Sequence, residues 1–528
     1  MKGLETVELR MPGRINGILL ALYCFCVFVT EIVIRDLFHG KKLIILLPIM
    51  FAAFIALCPY VLKQVNKLEI HLNTEKAKEH NIVVLIKILM FIIPLTVLLL
   101  YYFAYYPGLF SYDSFFQYNQ AISNQYSDWH PVIHTLIVFK LPLSLTGGWI
   151  GSIILFQDLC FSVVLGYSFV TIYKFTNLKI SVALMTYILL NPLLGYLATF
   201  PWKDTTFAIA ALLLLIYSFQ IYLTKGDWLK PVFNTVMYIL TVTVTTLSRH
   251  NALLFTIPIV LAVFFCISRK RTAVICLGVI ILCFGVKYPL YYAIGVEKPS
   301  NRQVETLGLP MTVIGAAVTY TPELLDKETL EFAYKIAPEE VWKAKYITGS
   351  YQQVKFDART NTDVIEDYGR QKVISMMFRC FRYSPKESSK ALIKLTEASY
   401  TITDEYNSTL IYGLDQPESG NVGIQTLLKE YCRLMTYCFP FLYIRIGVIL
   451  LLLIISVLSK CRLNKLEDWK KILFVLPVFF YNYGTSMLMA GNELSTRFFF
   501  YTYLVVPILL IFMFIKAGSD CSPNPDYS

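Results

Sequence analysis

Charge is what this sequence has least of. Only 16% of its 528 residues are Asp, Glu, Lys or Arg, against about 25% in a soluble domain, and mean hydropathy is +0.56. A water-soluble fold of this length is excluded, and the expected class is an all-α multi-pass membrane protein. Cysteine pairs are missing as well. None of the 12 cysteines forms a CxxC, which removes the common zinc and dithiol motifs. Cys24, Cys26, Cys58, Cys160, Cys266, Cys276 and Cys283 fall inside apolar runs, as small packing residues do. Cys380 and Cys432 lie in a large polar loop, where spacing alone leaves open whether they pair. HExxH is absent, as are internal repeats and low-complexity tracts. The first apolar run has the length of a full span, so no cleavable leader is expected. The net charge of +11 sits at the ends of apolar runs, which points to membrane orientation and not to nucleic acid.

Runs long enough for a bilayer, about 20 residues each, fall near 15–35, 42–62, 81–104, 149–173, 179–200, 205–223, 231–248, 251–268, 272–294, 437–459, 472–490 and 497–516. About twelve spans are therefore expected. Lys63 and Lys67, Lys174 and Lys179, Lys225 and Lys230, Arg269 to Arg271, and Lys460 to Lys471 share one side if both termini are cytoplasmic. Only Arg35, Lys41 and Lys42 dissent. The expected organisation is a two-span hairpin (1–80), a span (81–104), an outer loop (105–148), a six-span bundle (149–295), a mainly helical outer domain (296–436) and a three-span C-terminal bundle (437–528). In the outer loop, Phe115, Tyr118 and Ile122 mark one helical face, and Val132–Leu145 is apolar but short. Both read as helices lying at the membrane surface. Asn407-Ser408-Thr409 matches a glycosylation sequon by pattern only.

The stretch from Tyr105 to Thr135 contains no Lys or Arg, yet it carries Asp113, Asp128, His130 and His134 among aromatic rings. Carboxylates and imidazoles set against apolar rings are what acid–base chemistry uses. The other outer turns present Lys203 and Asp204 in FPWKD, Arg249, His250 and Asn251 in SRHN, and Glu493 and Arg497 in ELSTR. Cations on the face that the positive-inside rule depletes suit a phosphate or diphosphate, which Arg grips bidentately and Lys meets as a point charge. Snorkelling, or pairing with Asp204 and Glu493, is the structural alternative. Asp113 is the expected general base and Asp128 its competitor; Asp113, standing before Ser114, also suits a helix cap. His130 and His134, four apart, could share a divalent metal, but no third ligand follows at a recognised spacing, so substrate or structural hydrogen bonds are the favoured role.

YPGLFSYDSFFQ, DWHPVIHT, FPWKD, SRHN and ELSTRFFFYTYLVVP together resemble an uncharacterised family of multi-pass membrane proteins from Gram-positive bacteria, usually placed beside the GT-C glycosyltransferases. The resemblance covers most of 80–516. It implies a GT-C-like fold and inverting transfer of a sugar from a polyprenyl-phosphate donor to a cell-envelope glycan, lipid or protein outside the cytoplasm. Asp113 takes the base position, and Lys203, Arg249 and Arg497 are the phosphate-holding candidates. His130, His134, Asp204, His250, Asn251 and Glu493 are expected to line the substrate site. The sequence departs from the enzymes in two places: Ser114 follows Asp113 where they carry Asp-Glu, and the soluble domain is inserted between spans. A transporter or lipid flippase, for which Asp158 and Pro192 are the mid-membrane candidates, and a polysaccharide polymerase or ligase are the rival readings.

Overall fold

The computed structural model describes residues 11–35, 41–72, 81–299, 302–402, 420–439, 443, 445–461, 466–492 and 495–515. It is an all-α membrane protein: among the described residues there are isolated β-bridges and no strand. The helices that matter for the site are α1 (Met11–Arg35), α2 (Lys41–Val65), α3 (Asn81–Ala104), α4 (Tyr112–Ser123), α5 (Val132–Leu145), α6 (Gly151–Phe175), α7 (Leu178–Leu189), α8 (Pro192–Ala198), α9 (Lys203–Leu223), α10 (Val232–Ser248), α11 (Leu253–Phe264) and α12 (Arg269–Ala293).

Among the described residues, six helices are long and apolar enough to cross a membrane: those within α1, α2 and α3, together with α6, α9 and α12. Counting the bent pair α7–α8 as one span makes seven. The sequence suggests about twelve. Several of the remaining expected spans are helices that stop short of bilayer length because they end to place polar residues. Thus α10 closes at Ser248 before Arg249, and α11 opens only at Leu253. The 60° bend between α7 and α8 has a local cause. Pro192 brings no N–H to continue a helix, and the Asn191 side chain starts the next one by accepting from the Leu193 N–H at 3.0 Å. Gly195 then lets Tyr101 of α3 lie so close that a Cβ would meet its ring at 2.1 Å.

Burial ranks the spans. In α9, 72% of the apolar window is buried, and in α6 61%, whereas the other four candidates bury 6–28%. α9 is therefore the hub, and the residues at its N-terminus are held by the best-packed part of the membrane region.

A second hydrophobic core lies in the polar insert. It is built by α13 (Gly308–Tyr320), α14 (Lys327–Ile336), α15 (Arg370–Tyr383) and α16 (Pro385–Thr396), around Phe332, Trp342 and Met376. Cys380 belongs to this core and Cys432 to the membrane core; both are free thiols. The sequon at 407–409 lies outside the described residues. The chain returns through α17 (Val422–Cys438), α18 (Ile446–Lys460), α19 (Leu466–Leu488) and α20 (Phe500–Phe514). The segment just after α19 is pinned to the insert: Tyr351 N–H donates to the Ala490 carbonyl at 2.9 Å, and Asn492 Nδ2 donates to Glu397 Oε1 at 2.6 Å. Lys394 holds the other oxygen of Glu397 at 2.9 Å. The insert thereby steadies the approach to Arg497.

Candidate functional site

The first loop folds with its polar face inward. Ser111 caps α4, its hydroxyl accepting from the Ser114 N–H at 3.4 Å. Asp113 therefore occupies the first turn, not the cap, and its carboxylate is free for longer-range pairing. Phe115 and Ile122, on the apolar face marked in the sequence, are exposed, while Ser114, Gln117, Gln120 and Ala121 are buried. The arrangement suits a helix lying at a membrane surface, with its apolar residues turned outward and its amides turned to the site. α5 packs beneath it through Val138, Phe139 and Leu143, and widens to a π-helical stretch at Thr135–Lys140. Gln117 Oε1 accepts from His134 Nδ1 at 2.7 Å and from the Thr135 hydroxyl at 3.2 Å, which sets the proton of His134 on Nδ1.

The FPWKD turn is clamped from α6. Gln157 Nε2 donates to the Ala198 and Phe200 carbonyls at 2.8 and 3.0 Å. Trp202 Nε1 donates to Ser111 Oγ at 2.7 Å, so one hydroxyl both caps α4 and orients the indole. Lys203 and Asp204 then open α9, where a carboxylate meets the positive end of the helix dipole.

Four distant segments meet here. Arg497 donates through Nε to Asp204 Oδ2 at 2.6 Å and through NH2 to Asp113 Oδ2 at 2.7 Å. Arg249 pairs with the other oxygen of Asp204. Lys203 Nζ stands 2.9 Å from His130 Nδ1, and His130 Nε2 stands 3.8 Å from Asp113 Oδ1. A protonated lysine donates to Nδ1, which leaves the imidazole proton on Nε2, toward Asp113. The guanidiniums are also stacked: Arg497 lies 4.2 Å from the Trp202 ring centre, and Arg249 lies 4.5 Å from that of Phe498. Asp204 is 2% exposed and Asp113 30%, so Asp113 is the member offered to an incoming molecule. Among the described residues the cluster holds three cations and two carboxylates, one negative charge short of neutrality. No three His, Cys, Asp or Glu residues gather as ligands among the described residues, and His130 already faces an ammonium.

Burial opposes ionisation of Asp113, but Arg497, Lys203 and His130 outweigh it and hold the carboxyl well below the usual carboxylate range. His130 moves down through burial first and the Lys203 charge second, so it is neutral near pH 7. His134, buried and close to Lys203, is pushed down to about 3. A histidine depressed in the fold binds its proton only when unfolded. Its contribution is therefore complete above the ordinary value near 6.5 and is lost as pH falls from there toward 3. The slope is about 1.4 kcal/mol per pH unit for one group. Denaturation of the purified protein should thus show a loss of about 2 kcal/mol from His134 between pH 6.5 and 5, which His134→Asn removes while His130 keeps its own; an equal slope in the variant would sink this assignment.

Asp128 and Asn251 are held elsewhere. Asp128 accepts from Tyr291 OH at 3.1 Å and faces Lys287 Nζ at 3.9 Å, while its N–H donates to the Glu297 carbonyl at 3.0 Å. It ties the loop to the end of α12. Asn251 donates to Thr485 Oγ1 at 2.8 Å, joining α11 to α19. His250 is exposed and lines a cavity beside Arg249. Glu493 lies outside the described residues. Ser111, Gln117, Gln157 and Glu397 are the supports that sequence reasoning missed. Each is an uncharged or lone acidic residue in a helix or at its end, and nothing in their spacing marks them.

No family model, curated protein or solved structure matches this chain. The functional reading therefore rests on the geometry of this cluster and on the motif resemblance.

Proposed function

We propose that this protein is an inverting, polyprenyl-phosphate-dependent glycosyltransferase of the GT-C kind. In this reading the chain crosses the cell membrane of a Gram-positive bacterium about twelve times, with both termini cytoplasmic, and modifies an envelope glycan, lipid or protein on the outer face. The observation that carries the reading is the cation-rich cluster itself: among the described residues, Lys203, Arg249 and Arg497 converge on one point with two carboxylates. An anionic group completes it, and a phosphate can engage two stacked guanidiniums and an ammonium together.

The chemistry follows from the exposed end. The acceptor hydroxyl gives its proton to the Asp113 carboxylate as its oxygen attacks the anomeric carbon. The bond from that carbon to the donor phosphate oxygen breaks on the opposite side, and the electron pair leaves with the phosphate. Lys203, Arg249 and Arg497 stabilise the charge on the departing phosphate. In the resting arrangement Arg497 keeps Asp113 a weak base. A donor phosphate that draws Arg497 to itself would raise the basicity of Asp113 when a substrate is present, and only then.

The transporter is the second reading, favoured by Asp158. It is buried inside α6, with Oδ1 lacking a hydrogen-bond partner among the described residues, and intramembrane carboxyls mark ion paths in transporters. One experiment separates the two. Purified protein in nanodiscs is incubated with a panel of polyprenyl-phosphate sugars, and free polyprenyl phosphate is measured. Its release supports the enzyme. No release, together with solute or lipid movement in proteoliposomes that Asp158→Asn abolishes, supports the transporter.

A further inference from the structure

Arg249 belongs to two places. Its guanidinium is in the ion cluster, and the residue also lines a cavity of about 430 Å³ between α10, α11 and α12. The walls are apolar along most of its length, with Leu253, Ile257 and Leu261 on α11 facing Val279, Ile280 and Phe284 on α12. Most of these side chains are about half exposed, so the cavity opens sideways, where a membrane helix meets lipid. Its cations, Arg249 and Lys287, lie at one end with His250 and Tyr288.

Lining residues recur along α11 from Leu253 to Phe264, and Arg249 and His250 lie before its first turn. At 1.5 Å per residue the slot is roughly 20 Å long, the reach of an extended hydrocarbon chain with its anionic head at the charged end. Lys287 is partly exposed and only loosely paired with Asp128 at 3.9 Å, so its ammonium is available to a stronger anion at the head of the slot.

We propose that this slot seats the chain of a single-chain lipid phosphate, whose head group meets Lys287 and His250 beside Arg249 and takes Lys287 from Asp128. The proposal rests on the lipid-linked donor reading of the neighbouring cluster, which supplies the single chain, and adds where the lipid lies and which residues hold it. It also gives Asp128 a role apart from base catalysis, as the group that occupies Lys287 until a lipid arrives.

The test uses the full chain in phosphatidylcholine nanodiscs and radiolabelled hexadecyl phosphate as the probe. Tight, saturable binding is expected in the wild type. Ile257→Trp with Leu261→Trp, which fills the slot, should weaken it at least tenfold, and Lys287→Gln should weaken it several-fold. Asp128→Asn should tighten it, the opposite sign to a loss of structure. Protection of each variant by pyrophosphate against heat reports that the ion cluster is still folded. Binding by the filled-slot variant at wild-type affinity would overturn the proposal, as would equal competition by two-chain phosphatidate. If slot variants lose the probe but no sugar donor is ever turned over, the transferase reading falls and the slot stands. If the filled-slot protein turns over a lipid-linked donor normally, the slot falls and the transferase stands.

Discussion

Asp113→Asn is expected to lower turnover of the lipid-linked donor by about 10²–10⁴-fold, the range that a positioned general base supplies, with donor affinity changed only a few-fold. The amide keeps the size of the carboxylate and an oxygen that can accept from Arg497 NH2, now 2.7 Å away, so the fold of the loop should survive. What it cannot do is take a proton. Asp113 is also the most open carboxylate of the cluster, at 30% exposure against 2% for Asp204, and so the one an acceptor can reach. The alternative base is His130, held neutral by burial and by Lys203 and 3.8 Å from Asp113. Single-turnover assays on Asp113→Asn and His130→Asn separate them. If the histidine variant loses turnover and the aspartate variant does not, Asp113 is a positioning residue and the proton goes to the imidazole.

Asp204→Asn should have the largest effect on stability. Its two oxygens face Arg249 and Arg497 separately, and neutralising it leaves two buried guanidiniums with one remaining carboxylate, Asp113. Breaking a buried ion pair from one side costs about 3–5 kcal/mol, most of it from the charge left behind. A large drop in melting temperature in detergent is therefore expected. Arg249→Met in the same chain should recover part of it by removing one of the stranded charges, which is a positive coupling in a double-mutant cycle. The phosphate reading adds a second signature. The variant cluster is short of two negative charges, so pyrophosphate should raise its melting temperature more than that of the wild type. Additive single effects, or an equal response to pyrophosphate, would show that the cluster is a structural network with no vacancy for an anion.

Much of this architecture is legible in the order of the amino acids. Low charge and repeated apolar runs make an all-helical membrane protein the only workable solution, because a backbone in lipid must satisfy its own hydrogen bonds. The unusual residues are visible too, since Lys203, Arg249 and Arg497 stand where cations are normally avoided and Asp113 sits in a loop without Lys or Arg. Such signals are local, carried by composition and position within a short window. What no window contains is which of these residues meet. Asp113 and Arg497 are far apart in the chain, and only the packing of α4, α9 and the segment before α20 brings them to 2.7 Å. The same packing sends Asp128 to Lys287 and Tyr291 and leaves Asp113 in the cluster. It turns Phe115 and Ile122 outward and Gln117 and Gln120 inward. Helix periodicity says that a face exists, but lipid and protein interior are both apolar, so hydropathy cannot say which of them that face meets. Sequence alone therefore determined the class of molecule and the chemical types at its site. The partners, the exposed carboxylate and the apolar slot beside Arg249 were decided by tertiary structure, because they depend on distances between helices that the chain reaches only after folding.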